Sequence, residues 1–195
     1  TARGQWGPTA YPCVPGHEIV GQVVQVGARV RKFKVGDPVG VGCMVGSCGH
    51  CVHCKGHEEQ YCQRGAAFTY NSTEMDGLTP TFGGYSQQIT VDQGFVLRLK
   101  AGVALAHVAP LLCAGITTYA PLKRYKVGKR SRVGVVGLGG LGHIAVKIAV
   151  AMGAKVTVFS TSPAKREDAL RLGAHQFVCS AVADAFLPLA GTLDL

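Results

Sequence analysis

The sequence predicts a mixed β and α/β fold, with a β-rich first half that suits a small barrel and a parallel, right-handed βαβ sheet after it. In the first half, β-branched runs are punctuated by glycine and proline at roughly 8 to 12 residue intervals. In the second half, strands alternate with helices from Arg132 onward. Hydrophobic residues make up 47% of the 195 residues and charged residues 16%, which excludes a disordered chain.

The first half contains four predicted strands separated by two loops. The strands cover residues 19–26, 35–41, 85–91 and 95–99. Residues 43–62 form a lobe rich in Cys, His and Gly, and residues 63–83 form a polar loop. Helical spacing of Ala, Leu and Val begins at Gly102. We therefore expect one domain over residues 1–110 and a second over residues 111–195.

The second half is predicted to repeat the order strand, turn and helix. The predicted elements are a strand at 132–136, a glycine turn at 137–142, a helix at 141–152, a strand at 155–159, a helix at 162–172 and a strand at 176–179. The last three residues resemble the opening of a further strand. This order predicts a doubly wound parallel sheet, of which we expect this chain to contain only the first part.

The charge and the apolar runs argue against two function classes. The net charge of +9 comes from scattered Lys and Arg, and the densest basic run, at 123–132, is typical of a solvated approach to a strand. No run approaches the roughly 18 apolar residues that a membrane span needs. No leader for secretion is evident, and the cysteine usage favours a reducing compartment. We therefore expect a cytoplasmic protein that binds neither nucleic acid nor membrane.

Four cysteines have the spacing of a structural zinc site. Cys48, Cys51, Cys54 and Cys62 are separated by two, two and seven residues. Zn²⁺ prefers four tetrahedral ligands, and four thiolates leave no open position for chemistry. Disulfides or free thiols are the alternatives, which this spacing disfavours. The ion would stabilise a loop that has few apolar residues.

We expect the three histidines of the lobe and three further cysteines not to bind metal. We expect His50, His53 and His57 to be surface residues, because four thiolates need no further ligand. A buried free cysteine behaves as a small hydrophobe. Cys13, Cys43 and Cys179 are therefore assigned to packing.

His17 and Cys113 are candidates for a second, catalytic zinc. Such a zinc uses three protein ligands and an open fourth position. His17 precedes the first strand with Glu18 beside it, and Cys113 is isolated at the predicted domain junction. A lone histidine in this type of turn is more often structural. No convincing second cysteine precedes His17, so the missing ligand is expected before Thr1.

A glycine-rich turn indicates a dinucleotide site. Its residues are Gly137, Leu138, Gly139, Gly140, Leu141 and Gly142. They match Gly-x-Gly-x-x-Gly between a strand and a helix, where the backbone can approach a pyrophosphate at the helix N-terminus. A plain tight turn is the alternative.

The residues after the second strand of this half bear on cofactor choice. NAD sites usually place Asp or Glu there to bind the ribose 2′-OH. This chain has Ser160, Thr161 and Ser162, followed by Lys165. Hydroxyls and a cation suit a 2′-phosphate, so NADP is favoured. Ser162 could instead cap the following helix, which would not exclude the phosphate role.

Taken together, these motifs resemble the zinc-dependent medium-chain alcohol dehydrogenases, most closely the cinnamyl-alcohol-dehydrogenase-like aldehyde reductases. The matching stretches are 11–18, 36–42, the four-cysteine lobe, 83–86, 112–119 and 137–142. The resemblance implies a GroES-like β-barrel catalytic domain followed by a Rossmann domain. It also implies hydride transfer between NADP(H) and aldehydes or primary alcohols, and a homodimer.

The resemblance also implies roles for individual residues. His17 and Cys113 would bind the catalytic zinc, with Glu18 as a supporting group or an alternating fourth ligand. Thr117 would approach the nicotinamide, and Ser160 to Lys165 would hold the 2′-phosphate. Trp6 could line the substrate entrance or serve ordinary packing.

The 195-residue chain departs from the family pattern at both ends. The family's first zinc-binding cysteine, its proton-relay residues and the second half of the cofactor domain are absent, so we expect a fragment that is inactive by itself. An NAD-linked polyol dehydrogenase of the same architecture and a basic zinc module that binds nucleic acid remain as alternatives.

Overall fold

The computed structural model describes residues 3–5 and 7–195, so Trp6 lies outside the described residues. It divides the chain into two compact units, one ending at Cys113 and the other spanning Ala114–Leu195. The division falls three residues after the boundary expected at residue 110.

The first unit is built on short antiparallel strands. β1 (Ile19–Gln22), β2 (Pro38–Val41) and β5 (Val96–Arg98) form one sheet in the order β1-β2-β5. β3 (Met44–Gly46) pairs with β4 (Ala67–Phe68). The core here is small, since its fully buried members are Val41, Val45 and Ala67. A unit with so little buried apolar surface benefits from additional cross-links such as a metal.

The helical segments of the first unit are short. α1 covers Val52–Lys55 and is followed by a 3₁₀ turn at Glu59–Tyr61. α2 covers Leu105–Val108 and continues into a 3₁₀ turn at Ala109–Leu112. This last turn leads directly to Cys113 at the end of the unit.

Three strand predictions in this unit were wrong in extent. The strand expected over 35–41 begins at Pro38. The strand expected over 19–26 ends at Gln22, although the Val23 N–H still bonds to the Asp37 carbonyl oxygen at 3.0 Å. The strand expected over 85–91 is irregular. There the Ser86 hydroxyl donates to the carbonyl oxygens of Gly83 and Gln88, both at 3.0 Å. Such local hydrogen bonds compete with a strand ladder.

The second unit is a parallel α/β layer. After α3 (Ala114–Arg124) come β6 (Arg132–Val136), α4 (Gly140–Ala151), β7 (Lys155–Ser160), α5 (Arg166–Arg171) and β8 (Gln176–Cys179). The strands pair in parallel in the order β6-β7-β8. Val146, Val156 and Val158 are fully buried between sheet and helix, because strands covered by helices are apolar along their length.

The last residues of the chain lie against the other edge of β6. The Asp194 N–H donates to the Arg132 carbonyl oxygen and the Gly134 N–H donates to that of Leu195, both at 2.8 Å. β6 therefore has a neighbour on each side, with β7 on one and residues 194–195 on the other. A change of direction in strand order of this kind is where open α/β sheets bind ligands.

Among the described residues, no single helix is long and apolar enough to cross a membrane. One bent pair of helical segments, Leu105–Leu112 with Ala114–Arg124, has the length and composition of a span, which is weak evidence by itself.

Candidate functional site

The four cysteines of the lobe lie together in the first unit. The Sγ atoms of Cys48, Cys51, Cys54 and Cys62 are all within 4.8 Å of one another. The Sγ of Cys54 is 3.8 Å from that of Cys48 and 3.5 Å from that of Cys51. Four thiolates about 2.3 Å from one tetrahedral zinc would be about 3.8 Å apart. The sulfur cage therefore fits zinc without rearrangement of the chain.

Backbone N–H groups point at these sulfurs and favour the ionised form of Cys51 and Cys62, whereas burial and hydrogen bonds with Cys51 and Cys62 raise the pKa of the Cys54 thiol to about 11. The Cys48 N–H donates to the Cys62 Sγ, and the Cys51 N–H donates to the Cys48 Sγ, both at 3.4 Å. A hydrogen bond from the Cys54 backbone, followed by one from Gln63, lowers the pKa of the Cys51 thiol to about 6. One from the Cys48 backbone also lowers the pKa of Cys62. Donors of this kind stabilise thiolates, which are the form that binds metal.

The histidines of the lobe lie outside this cage. His50 and His57 are exposed, and the His50 Nδ1 is 2.6 Å from the Cys48 carbonyl oxygen. The half-buried His53 places its Nδ1 3.4 Å from Glu58 Oε2.

A short backbone ladder fixes the turn that carries His17. The N–H groups of Gly83, Gly84 and Tyr85 donate to the carbonyl oxygens of residues 14, 16 and 15, at 2.7 to 3.0 Å. A Cβ added at Gly83 would lie 2.3 Å from the Gly16 carbonyl oxygen, so only glycine permits this approach. The His17 ring then stacks on Tyr70, with the ring centroids 5.9 Å apart and the planes 5° from parallel.

His17 and Cys113 come together within the first unit, and Cys43 joins them. The ligand atoms of these three half-buried residues lie within 4.8 Å of one another. Cys43, which the sequence assigned to packing, is therefore a neighbour of both candidate ligands. Burial, followed by a hydrogen bond with Cys113, raises the pKa of the Cys43 thiol to about 11.

Strand register explains why Cys43 is there. In the β1–β2 pair, Ile19 lies opposite Val41. Continuing the antiparallel register by two residues places His17 opposite Cys43. Directly opposed residues in such a pair have Cβ atoms about 4.5–5.5 Å apart. Sequence patterns indicated both strands but not their register, so this neighbour was missed.

Two cavities open beside His17. One of about 280 Å³ is lined by residues that include His17, Glu18, Tyr70 and Tyr85. The other, of about 290 Å³, is lined by His17, Cys43, Tyr70 and neighbouring residues. Glu18 is exposed and close enough for its charge to contribute to the raised pKa of Cys43. A small molecule can therefore reach the His17 cluster from solvent.

In the second unit, the glycine turn connects β6 to α4. Gly137 has a φ of +87°, and its N–H donates to the Phe159 carbonyl oxygen at 2.8 Å. α4 begins at Gly140, and its N-cap residue Gly139 has no side chain to satisfy the first N–H groups. Free N–H groups at a helix start favour a phosphate. Leu138 is buried, whereas Leu141 is exposed and Gly142 half-buried.

The residues proposed for the 2′-phosphate lie at the end of β7. Lys165 Nζ donates to the Leu138 carbonyl oxygen at 2.9 Å, which ties this cation to the glycine turn. Thr161 is exposed and Ser162 half-buried, whereas Ser160 is only 7% exposed. The Ser160 Oγ accepts the Ser162 N–H at 3.3 Å, so this hydroxyl shapes the loop. As N-cap of the following 3₁₀ turn, Ser162 makes no side-chain cap hydrogen bond with any described residue, so the capping alternative is not realised.

Thr117 and Cys179 both lie in the second unit. Thr117 is exposed in the first turn of α3. Cys179 packs against the core of the second unit, and its Sγ lies 3.8 Å from the Thr161 carbonyl oxygen.

Comparison with known proteins identifies two family regions in this chain. The model of a family described as "Alcohol dehydrogenase GroES-like domain" matches residues 1–101, and that of a family described as "Zinc-binding dehydrogenase" matches residues 140–191. The first match alone covers about half of the chain.

Curated relatives match over nearly its whole length. NADP-dependent alcohol dehydrogenase C 1 of Mycolicibacterium smegmatis is 54% identical over 100% of this chain and 56% of its own length. Aldehyde reductase YahK of Escherichia coli is 56% identical over 93% of this chain and 52% of its own. A probable mannitol dehydrogenase of Fragaria ananassa is 54% identical, covering 98% and 54%. The chain thus spans about half the length of the curated relatives it matches.

A solved structure matches both sequence and fold. The structure of CAD from Helicobacter pylori complexed with NADP(H) is 50% identical, with a TM-score of 0.86 over 91% of this chain and 51% of that one. Together with the family matches and the cysteine cage, this likeness shows that the chain belongs to the zinc-dependent medium-chain alcohol dehydrogenases.

Proposed function

We propose that the protein interconverts aldehydes and primary alcohols with NADP(H), and that this chain supplies the zinc-binding residues and the phosphate-binding part of the cofactor site. The observation that carries the proposal is the cluster of His17, Cys43 and Cys113 beside cavities open to solvent. Its imidazole and thiol donors suit zinc, and fewer than four protein donors leave a position for substrate. The whole protein's activity is part of this proposal, because the chain spans about half of its relatives.

When bound, zinc supplies Lewis-acid polarisation of a carbonyl oxygen and NADPH supplies the hydride. The chain's own residues hold the geometry. The 83–85 ladder fixes the His17 backbone, and the stack on Tyr70 restricts rotation of its ring. We assign His17 and Cys113 to the metal and Glu18 to a supporting position at its edge. Restricting these side chains before substrate arrives is the protein's main contribution to alignment.

NADP is the proposed cofactor because of the charge near the end of β7. Lys165 is tied to the glycine turn, and the exposed Thr161 and the half-buried Ser162 precede it in the same loop. No carboxylate occurs between Ser160 and Lys165 to accept hydrogen bonds from a free ribose. One relative is named an NADP-dependent alcohol dehydrogenase and a similar solved structure is complexed with NADP(H), which supports the same assignment. Thr117 is assigned to the nicotinamide by resemblance.

The cysteine lobe is assigned a structural zinc. Its four sulfurs leave no open ligand position, so it stabilises the first unit and does not take part in turnover. All eight cysteines are free thiols, which agrees with the proposed cytoplasmic location in a reducing compartment. We also propose that the complete protein is a homodimer.

A second candidate is polyol oxidation, favoured by the relative described as a probable mannitol dehydrogenase. The two functions differ in substrate and can be separated directly. The complete reading frame, loaded with zinc, would be assayed for NADPH-dependent reduction of cinnamaldehyde, a medium-chain aldehyde and fructose. We expect the aldehydes to have the higher kcat/KM.

Preference for fructose in that panel would favour the polyol function. Salt-sensitive DNA binding without turnover of any substrate would instead contradict both dehydrogenase assignments.

A further inference from the structure

We infer that a basic surface on the second unit binds single-stranded RNA. This basic surface consists of the six Lys and Arg side chains of residues 123–132 together with Lys155, and all of them are exposed. The inference goes beyond the proposed reaction and does not depend on it. It replaces the expectation from sequence that the run is a solvated approach to a strand and that the protein does not bind nucleic acid.

The positive charge of the protein is concentrated on the second unit. Residues 114–195 contain eleven Lys and Arg against four Asp and Glu, whereas residues 1–113 contain nine against seven. The second unit therefore accounts for +7 of the net charge of +9. Seven of its eleven cations belong to the basic surface. The charge is thus not scattered, and its distribution is typical of a nucleic-acid-binding protein.

The backbone brings the first part of the basic surface together directly after α3. The Lys126 N–H donates to the Lys123 carbonyl oxygen at 3.1 Å, and Lys126 has a φ of +54°. Lys129 then packs against the turn that precedes β7, because a Cβ added at Gly153 would lie 3.0 Å from the Lys129 Cγ. The run therefore passes from the end of α3 to the start of β7.

Strand pairing completes the basic surface. Arg132 and Lys155 begin β6 and β7 and are partners in the parallel register. Neighbouring strands lie about 4.8 Å apart, so these two cations are close neighbours. Among the described residues, Arg132 pairs with Asp194 at 3.8 Å, and no other member of the surface forms an ion pair. Like charges placed side by side repel, so a bound anion would stabilise this surface.

The helix dipole accounts for only two of these cations. Lys123 and Arg124 lie in the last turn of α3, where positive charge is favourable. The other five lie outside the helix, so a favourable helix end does not explain them.

An exposed aromatic side chain favours single strands as the ligand. Tyr125 is 65% exposed and lies between Arg124 and Lys126 in the sequence. Cations neutralise the phosphates of a strand while an aromatic ring stacks on a base, and inside a duplex the base faces are already stacked. Leu122 and Val127 are buried, so the run offers no further apolar side chain to a lipid surface. RNA supplies unpaired strands in the cytoplasmic compartment proposed above.

The basic surface lies at the opposite end of the strands from the cofactor residues. It contains the first residues of β6 and β7, whereas the glycine turn follows the end of β6 and Lys165 follows the end of β7. RNA and NADPH should therefore bind together without competition.

Fluorescence anisotropy on the complete, zinc-loaded reading frame with saturating NADPH tests the inference. The probe is a labelled oligouridine of about 15 nucleotides, within the range of site sizes that single-strand binders use. The combined variant Lys126→Gln, Lys129→Gln and Lys155→Gln removes exposed cations, and glutamine keeps the Cγ with which Lys129 contacts the turn. Each phosphate contact contributes about 0.7 to the slope of log affinity against log salt, so the slope should become shallower by about 2. The same relation predicts a loss of affinity of roughly 100-fold at about 0.1 M salt.

The matched control combines Lys32→Gln, Lys55→Gln and Lys100→Gln. It removes the same charge from exposed positions of the first unit and should leave the salt slope unchanged, because these lysines do not belong to the basic surface. A wild-type unfolding midpoint in each variant reports that the protein is folded.

Substitutions of Tyr125 test the contact with a base. Tyr125→Ala should weaken binding roughly 5- to 150-fold, the range for loss of one stacked base, without changing the salt slope. Tyr125→Phe keeps the ring and should bind like the wild type.

Oligouridine affinity that is unchanged in the combined variant of the basic surface, or lost in the presence of NADPH, would overturn the inference, because RNA would then bind elsewhere. Equal affinity for poly-glutamate or for phosphatidylserine vesicles would show a general attraction to anions and would also overturn it. Wild-type affinity in Tyr125→Ala would do the same. Failure of the proposed function is distinguishable from all of these results, since it would show as absence of NADPH-linked turnover.

Discussion

Replacing Lys165 by alanine should weaken NADPH binding selectively. The Lys165 amine donates to the Leu138 carbonyl oxygen at 2.9 Å, which holds it at the glycine turn. A 2′-phosphate at this end of β7 would meet that amine, whereas the unphosphorylated ribose of NADH offers it no negative charge. The truncation therefore removes an interaction specific to one cofactor.

The expected size follows from the hydrogen bond to a charged group. Such a bond contributes roughly 1.5 to 3 kcal/mol, and each 1.4 kcal/mol is a factor of ten in affinity. NADPH binding should therefore fall roughly 10- to 100-fold. The contact with Leu138 is lost for both cofactors, but a neutral acceptor at a partly exposed site contributes only about 1 kcal/mol. NADH binding should fall less than about tenfold.

Dissociation constants for both cofactors, measured by fluorescence titration of the complete reading frame, provide the assay. Lys155→Ala is the matched control, because Lys155 is an exposed lysine at the opposite end of the same strand. It should leave both constants unchanged. An equal loss of NADH and NADPH affinity in Lys165→Ala, or a wild type that prefers NADH, would refute the phosphate-site assignment.

Three further predictions concern metal content and stability. Cys51→Ser should lose the zinc of the four-thiolate cage in native mass spectrometry, and unchanged metal content would contradict that site. Asp37 accepts the Lys34 N–H and pairs with Arg98, which lowers its pKa. Its contribution to stability is therefore present above about pH 4 and is lost as pH falls through the lowered value, so urea unfolding of Asp37→Asn should lack the acid-dependent part of the wild-type profile. Gly142→Ala should destabilise the second unit by about 1–3 kcal/mol in urea unfolding, because the added Cβ would clash with the Gly137 carbonyl oxygen. Gly140→Ala is the matched control and should be neutral, because its Cβ would meet no neighbouring atom within 4 Å.

Strong local patterns made much of the second unit predictable. The strand at Arg132–Val136 and the strand at Gln176–Cys179 have the bounds that the sequence indicated. Both are short apolar runs between turn residues, and both pack against helices, so burial and propensity favour the same structure. The glycine turn was equally clear, because the pattern Gly-x-Gly-x-x-Gly between a strand and a helix is a specific signature of a dinucleotide site.

Features that depend on long-range pairing were not accessible in the same way. Residues 85–91 have strand-like composition, but the backbone of Tyr85 is bonded to Pro15, far away in the sequence. Cys43 has no spacing that marks it as a neighbour of His17, because the strand register that pairs them is set by tertiary structure. Burial of the Ser160 hydroxyl likewise follows from packing of the β7 end rather than from its sequence motif.

The central claim is that the complete protein transfers hydride from NADPH to an aldehyde in a zinc-dependent reaction. The direct measurement is the rate of NADPH oxidation by cinnamaldehyde, on the complete reading frame, in the zinc-loaded state, after chelation and after zinc is restored. We expect that the zinc-loaded enzyme is active, that chelation abolishes the rate, and that zinc restores it. We also expect a higher kcat/KM with NADPH than with NADH. A rate that survives removal of all bound zinc, or a zinc-loaded protein that uses NADH in preference to NADPH, would contradict this claim.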